Sequence, residues 1–192
     1  ITLSADRDLS ITSSSTTEAV SLSTTDSDIA VSGDGAVTIT TARNISLTSG
    51  SSITTVDGGV TLTANAVISG SGNFAGVQLT GATLTTSGSG AISVNGIGGD
   101  TGSTNVGVDL ASGSIIESTS SAADAGAITV IGQGGSGTTD VTGVRQLGTS
   151  TIRSVNGDVS ITGTGNGSGN SGGDGIYIGT SSVIQSTGTG AD

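Results

Sequence analysis

Gly90-Ala91-Ile92-Ser93-Val94-Asn95-Gly96, Gly126-Ala127-Ile128-Thr129-Val130-Ile131-Gly132 and Gly157-Asp158-Val159-Ser160-Ile161-Thr162-Gly163 are three copies of one pattern. In each copy a Val or Ile alternates with a small polar residue, and glycines mark both ends. A period of two built on β-branched residues is the mark of a short strand that buries one face. The same alternation runs through Ala36-Val37-Thr38-Ile39-Thr40, Ile45-Ser46-Leu47-Thr48 and Gly59-Val60-Thr61-Leu62-Thr63. No stretch sustains the i, i+3, i+4 spacing of a helix, and helix formers are scarce. The chain reads as essentially all-β.

Two further segments repeat in step with the first. Gly76-Val77-Gln78-Leu79, Gly107-Val108-Asp109-Leu110, Gly143-Val144-Arg145-Gln146-Leu147 and Gly175-Ile176-Tyr177-Ile178 place their glycines 31, 36 and 32 residues apart. Each is followed by a second strand-like segment: Ala82-Thr83-Leu84-Thr85-Thr86, Ser114-Ile115-Ile116-Glu117-Ser118, Ser150-Thr151-Ile152-Arg153-Ser154 and Ser182-Val183-Ile184-Gln185-Ser186. The opening pattern supplies the third strand of each unit. Followed backwards, its first apolar residues are Ile1, Val20, Val37, Val60, Ile92, Ile128 and Val159, at intervals of 19, 17, 23, 32, 36 and 31. About seven units fit.

A strand of four to six residues cannot bury its face alone. Three such strands joined by tight turns make a triangular rung, and stacked rungs pair their backbones at about 4.8 Å. The expected fold is therefore a parallel β-helix, a β-solenoid of about seven rungs of three short strands, forming a rod of roughly 30 to 35 Å. Residues 1–65 form a Gly-poor, short-rung part, and residues 66–192 a Gly-rich, longer-rung part of the same solenoid. The inward rows are expected to include Val77, Leu84, Ile92, Val108, Ile116, Ile128, Val144, Ile152, Val159, Ile176 and Ile184.

The composition fits this reading. Ser and Thr number 65 and Gly 35, so these three types supply 100 of the 192 residues. Pro is absent, as expected where every interior strand donates its N–H to a neighbour. Without Cys no disulfide can form, and without His and Cys neither imidazole nor thiol can act as nucleophile, base or soft-metal ligand. The formal net charge is -11, all four cations are Arg, and such a chain is a poor partner for nucleic acid or anionic membranes. No apolar run approaches a membrane span. With no Met and no visible signal peptide, the sequence is expected to be an internal or mature piece of something longer. No amphipathic capping helix is visible at either end.

The rhythm of Val37-Thr38-Ile39-Thr40, Ile45-Ser46-Leu47-Thr48 and Gly58-Gly59-Val60-Thr61-Leu62-Thr63 resembles the repeats of filamentous-haemagglutinin-type exoproteins. It is similar as well to the giant Gly/Ser/Thr-rich repeat surface adhesins of Gram-negative bacteria. The resemblance covers the whole chain and consists of pattern and composition. It implies a right-handed parallel β-helix, export to the bacterial surface, and a role in adhesion or as a stalk. The Asn-Pro motifs of the secretion domain in those families cannot occur in a chain without Pro.

Candidate chemistry is sparse. Asp26, Asp28 and Asp34, with Arg7 or Arg43, are the residues from which a polysaccharide-active β-helix would build acid/base groups, but no cleft or aromatic platform accompanies them. Asp6, Asp8, Asp26, Asp28 and Asp34 offer oxygen ligands to calcium. Gly172-Gly173-Asp174-Gly175-Ile176-Tyr177 matches the glycines of the calcium nonapeptide but carries Tyr177 at its Asp position, and Gly98-Gly99-Asp100 also departs from it. Such Asp residues are expected to cap turns. The Gly-rich tract 163–175 lacks the Lys of a phosphate loop. Thr38-Ile39-Thr40, Thr61-Leu62-Thr63 and Thr83-Leu84-Thr85 would give outward Thr ladders of the kind that bind ice in some solenoids. Asn44-Ile45-Ser46 and Asn166-Gly167-Ser168 fit the glycosylation sequon. The reading assigns no catalytic, cofactor or metal residue. It expects a non-enzymatic structural segment of a secreted or cell-surface protein, forming a stiff rod or extracellular filament. Its partners are neighbouring repeats of the same chain, or identical chains end to end, with surface glycans or proteins on the Gly-rich loops as the alternative.

Overall fold

The computed structural model describes residues 2–3, 7–23, 27–67, 70–167 and 172–188. Among them the chain is a β-solenoid with three parallel sheets and no helix. Six strand triplets follow one another. They are β1 (Thr2–Leu3), β2 (Leu9–Ser13) and β3 (Val20–Leu22); β4 (Asp28–Val31), β5 (Val37–Thr41) and β6 (Ile45–Leu47); β7 (Ser52–Thr55), β8 (Val60–Ala64) and β9 (Val77–Thr80). Next come β10 (Thr83–Thr86), β11 (Ile92–Ile97) and β12 (Val108–Ala111); β13 (Ile115–Ser118), β14 (Ile128–Gln133) and β15 (Val144–Gln146); β16 (Thr151–Ser154), β17 (Val159–Thr164) and β18 (Ile176–Ile178). A last strand, β19 (Val183–Ser186), opens a further turn. Sheet A holds the first strand of each triplet and β19, sheet B the second strands and sheet C the third.

The three repeating segments of the sequence map onto the three sheets. Val77, Val108, Val144 and Ile176 lie in register in sheet C, and Leu84, Ile116, Ile152 and Ile184 in sheet A. Val37, Val60, Ile92, Ile128 and Val159 align in sheet B. Alternate residues point inward, and Ile39, Leu47, Leu62, Leu79, Leu84, Leu110 and Ile116 are all fully buried. Because parallel pairing stacks like on like, the core is a set of continuous Val, Ile and Leu columns.

Two sequence expectations are corrected. Val20 does not belong to the sheet B row: it opens β3 in sheet C opposite Ile45, and Leu9 stands opposite Val37 instead. The alternation of Val20-Ser21-Leu22 suits either sheet, so pattern alone could not choose. Ile1 lies outside the described residues. Ile176 and Ile184 hold their register but are 43% and 40% exposed, because β18 and β19 are edge strands among the described residues. Val159 is partly buried for the same reason, at the edge strand β17.

Glycine is required where turns touch. A Cβ on Gly126 would sit 1.8 Å from the carbonyl oxygen of Gly90 in the preceding rung. A different need recurs between sheets C and A, where the turns are left-handed at one or two residues: Gly50 (φ 83°), Gly81 (66°), Ser112 with Gly113 (58° and 78°), Gly148 with Thr149 (49° and 51°), and Ser181 (67°). Glycine alone takes the left-handed position in the first two of these turns, whereas Ser112, Thr149 and Ser181 adopt it at a cost.

Candidate functional site

Residues 42 to 44 alone join β5 to β6, whereas from the third rung on the loops from sheet B to sheet C are long, running from residues 65 to 76, 98 to 107 and 134 to 143. They fold beside the outer face of sheet C. Along that face the outward row reads Ser46, Gln78, Asp109, Arg145 and Tyr177, one residue per rung. This row carries the densest chemistry among the described residues.

At its centre Arg145 binds Asp109 through Nε to Oδ1 and Nη2 to Oδ2, each at 2.9 Å. Nη1 donates to Asp140 from the adjoining loop. Asp109 is only 3% exposed, so its charge depends on this fork. The hydrogen bonds that Arg145 donates to Asp109 raise its pKa above the ordinary value, and the charges of Asp109 and Asp140 add to this against the opposing effect of burial. Arg145, Asp140, Thr142, Gly172, Asp174 and Tyr177 line a hollow of about 340 Å³. Tyr177 is the only exposed aromatic there, at 46%.

Two rungs earlier a second groove of about 300 Å³ is lined by Arg43, Asn44, Asn73, Phe74, Ala75, Gln78 and Thr104. The Arg43 guanidinium lies over the Phe74 ring, 4.6 Å from its centre. Phe74 is 6% exposed, so the ring supports Arg43 and is closed to a ligand as a stacking platform.

The acidic residues read from the sequence do not converge. Asp6 and Asp26 lie outside the described residues. Asp28 accepts from the Ser52 hydroxyl at 2.6 Å, Asp8 accepts from the Ala36 N–H at 3.0 Å, and Asp34 is an exposed turn residue. Arg7 precedes β2, far along the chain from the Phe74 groove that holds Arg43. Asp100 caps the turn of the preceding rung: its carboxylate accepts from the Gly72 N–H at 2.8 Å and the Ser71 hydroxyl at 3.0 Å. Those two bonds, the Gly72 one first, lower its pKa from the ordinary value. Asp174 is exposed beside Gly172 and Tyr177, and its backbone carbonyl accepts from the Gly143 N–H. No group of three or more His, Cys, Asp or Glu side chains that could hold a metal ion is found among the described residues.

The Thr motifs divide between two sheets. Thr38, Thr40, Thr61 and Thr63 extend in register on the outer face of sheet B, while Thr83 and Thr85 lie on sheet A. The Thr38–Thr61 row continues in hydroxyls through Ser93, Thr129 and Ser160, whereas the Thr40–Thr63 row passes into Asn95 and Ile131, so the paired Thr array is interrupted beyond β8. Asn44 of the first sequon is 9% exposed and accepts from Arg43 Nη1 at 2.6 Å, and Ser168 of the second lies outside the described residues.

The arrangement defines a three-sheet parallel β-solenoid with a loop-flanked polar strip on one sheet. No protein-family model, no characterised protein and no solved structure matches the chain. No helix among the described residues is long and apolar enough to cross a membrane.

Proposed function

We propose that the chain is a non-enzymatic structural segment of an extracellular or bacterial cell-surface protein, acting as a stiff rod whose rungs continue beyond both described ends. One observation carries this reading. Among the described residues every sheet is open at both ends: β1, β2 and β3 pair on one side only, as do β17, β18 and β19. The last rungs expose Ile176, Ile178, Val183 and Ile184, each at least 39% accessible. At the opposite end Ile11, Val20, Leu22 and Ile29 line an apolar hollow of about 370 Å³. Unpaired parallel strands over an open core are unstable in water and template further pairing. Their natural occupants are further rungs, from the same chain or from an identical copy set end to end. The mechanism is mechanical, since a continuous ladder of backbone hydrogen bonds resists bending and proteolysis.

Electron microscopy of the native material tests this. Rods or filaments with an axial repeat of about 4.8 Å are expected. Compact monodisperse particles no longer than the described stack would overturn it. The polar strip on sheet C favours a second reading, an adhesive module that takes glycan or protein along the Gly-rich loops. Its test is a glycan array on the folded chain.

A further inference from the structure

Arg43 differs from the other arginines that the fold holds in place. Arg145 is bound to Asp109 and Asp140, and Arg153 to Glu117. Arg43 is half-buried and has no carboxylate partner among the described residues, in a chain whose net charge is -11. The side chains that line the groove with it are neutral: Asn44, Asn73, Phe74, Gln78 and Thr104. The carboxylate of Asp100 nearby is bound to the Gly72 N–H and the Ser71 hydroxyl and makes no ion pair with Arg43. Asp109, the next residue after Gln78 in the outward row, is already neutralised by Arg145. A partly desolvated cation among neutral amides keeps its field and attracts an anion strongly.

The guanidinium is also fixed in place. Phe74 lies against one face, and the chain turns closely over the side chain at Gly70 and Gly72. A Cβ on Gly70 would meet Arg43 Cγ at 3.1 Å, and one on Gly72 would meet Nη2 at 3.3 Å. Nη1 gives one bond to Asn44, while Nε is buried without a partner. Of the five N–H groups of an arginine, three are then left for a ligand. Asn73 accepts from the Thr104 N–H at 2.8 Å, which turns its amide N–H groups to other use. The groove therefore gathers donors from three successive rungs: Arg43, Asn73 with Gln78, and Thr104.

We infer that this groove is a binding site for an oxyanion carried on a hydroxyl-rich ligand, an acidic sugar residue. Arg43 takes the carboxylate through its outer N–H groups, and the side chains of Asn73, Gln78 and Thr104 meet ring hydroxyls. A groove of about 300 Å³ suits one or two sugar units. The inference is independent of the rod reading, because the site is complete within three rungs.

The experiment is an NMR titration of the folded chain with sodium glucuronate, glucose and sodium sulfate, followed at backbone amides. Glucuronate is expected to saturate and to shift the amides of Asn73, Phe74, Gln78 and Thr104, with glucose at least tenfold weaker. Arg43→Gln should weaken glucuronate at least tenfold, and Arg153→Gln, on sheet A, should leave it unchanged. The wild-type shift map gives an answer even where Arg43→Gln fails to fold, and Asn73→Ala on the exposed loop supplies a second variant. Sulfate binding as tightly as glucuronate would overturn the sugar and leave a free oxyanion site. No saturable shift at these amides, or binding unchanged in Arg43→Gln, would overturn the site altogether.

Discussion

Arg145 and Asp109 face each other across the parallel pairing of β12 and β15, joined by two parallel hydrogen bonds of 2.9 Å. The strands that follow these, β13 and β16 on sheet A, carry a second cross-strand pair, Arg153 with Glu117, at 2.5 Å from Nη2 and 2.8 Å from Nε. Rows of Val, Ile and Leu would tolerate a slip of two residues, which keeps every apolar side chain inside. A carboxylate opposite an arginine on two sheets at once fixes one register. The environments differ: the Asp109 side chain is 4% exposed, whereas that of Arg153 is 48% exposed. Arg145→Ala leaves a buried carboxylate without its partner and should cost about 3 kcal/mol. Arg153→Ala breaks an exposed pair and should cost less than about 1 kcal/mol. Urea denaturation of both variants checks the ranking; equal costs would show that Asp109 is rescued by other donors.

Both pairs were legible in the sequence. Gly107 and Gly143 are 36 residues apart, and so are Asp109 from Arg145 and Glu117 from Arg153. In-register parallel pairing preserves such an offset, so the repeat interval names the partners. The beginning of the chain was less legible. Before Gly58 few glycines mark the corners, and Leu9-Ser10-Ile11 and Val20-Ser21-Leu22 carry the same alternation. Only the path of the turns decides which sheet receives each, which is how Val20 came to be read into the wrong row. The Arg43 groove was not legible at all. Phe74 and Asn73 reach it from a loop outside the strand ladder, where no repeat interval fixes the neighbours.

Facing direction can be tested within one strand. Ile128 is fully buried and Ile131, three residues on in β14, is 41% exposed. Ile128→Asp places a charge among apolar columns and should abolish cooperative folding or cost more than about 3 kcal/mol. Ile131→Asp should stay within about 0.5 kcal/mol of the parent. Thermal unfolding followed by circular dichroism separates them, and an unchanged transition for Ile128→Asp would contradict the solenoid core.

Acid should loosen the loop that Asp100 ties down. Its folded pKa lies below the ordinary value of 3.8, lowered first by the Gly72 N–H and then by the Ser71 hydroxyl. A depressed carboxylate pKa stabilises the fold above the unfolded pKa, and the contribution fades as pH falls through the folded value. The bond to Gly72 should therefore persist at neutral pH and weaken progressively below about pH 4. The Gly72 amide should shift upfield over that range, and Asp100→Asn should abolish its titration. A Gly72 amide that titrates equally in Asp100→Asn would assign the effect to another group.

The final prediction concerns hydroxyls inside the prism. Thr55, Thr86, Ser118 and Ser154 form an inward row along the edge of sheet A, one per rung. Ser154 Oγ accepts from the Gly157 N–H at 2.7 Å, but Thr55 Oγ1, Thr86 Oγ1 and Ser118 Oγ are buried without a hydrogen-bond partner. Rungs about 4.8 Å apart hold stacked hydroxyls too far from one another to bond. Each buried, unpaired hydroxyl costs about 1 to 3 kcal/mol relative to water. Thr86→Val keeps the shape and the β-branch while removing the polar atom, so it should stabilise by about 1 kcal/mol. For a chain of this size that is a rise of about 2 to 4 °C in Tm, readable by calorimetry. A fall in Tm would mean that the row is hydrated, with water bridging successive hydroxyls along the axis.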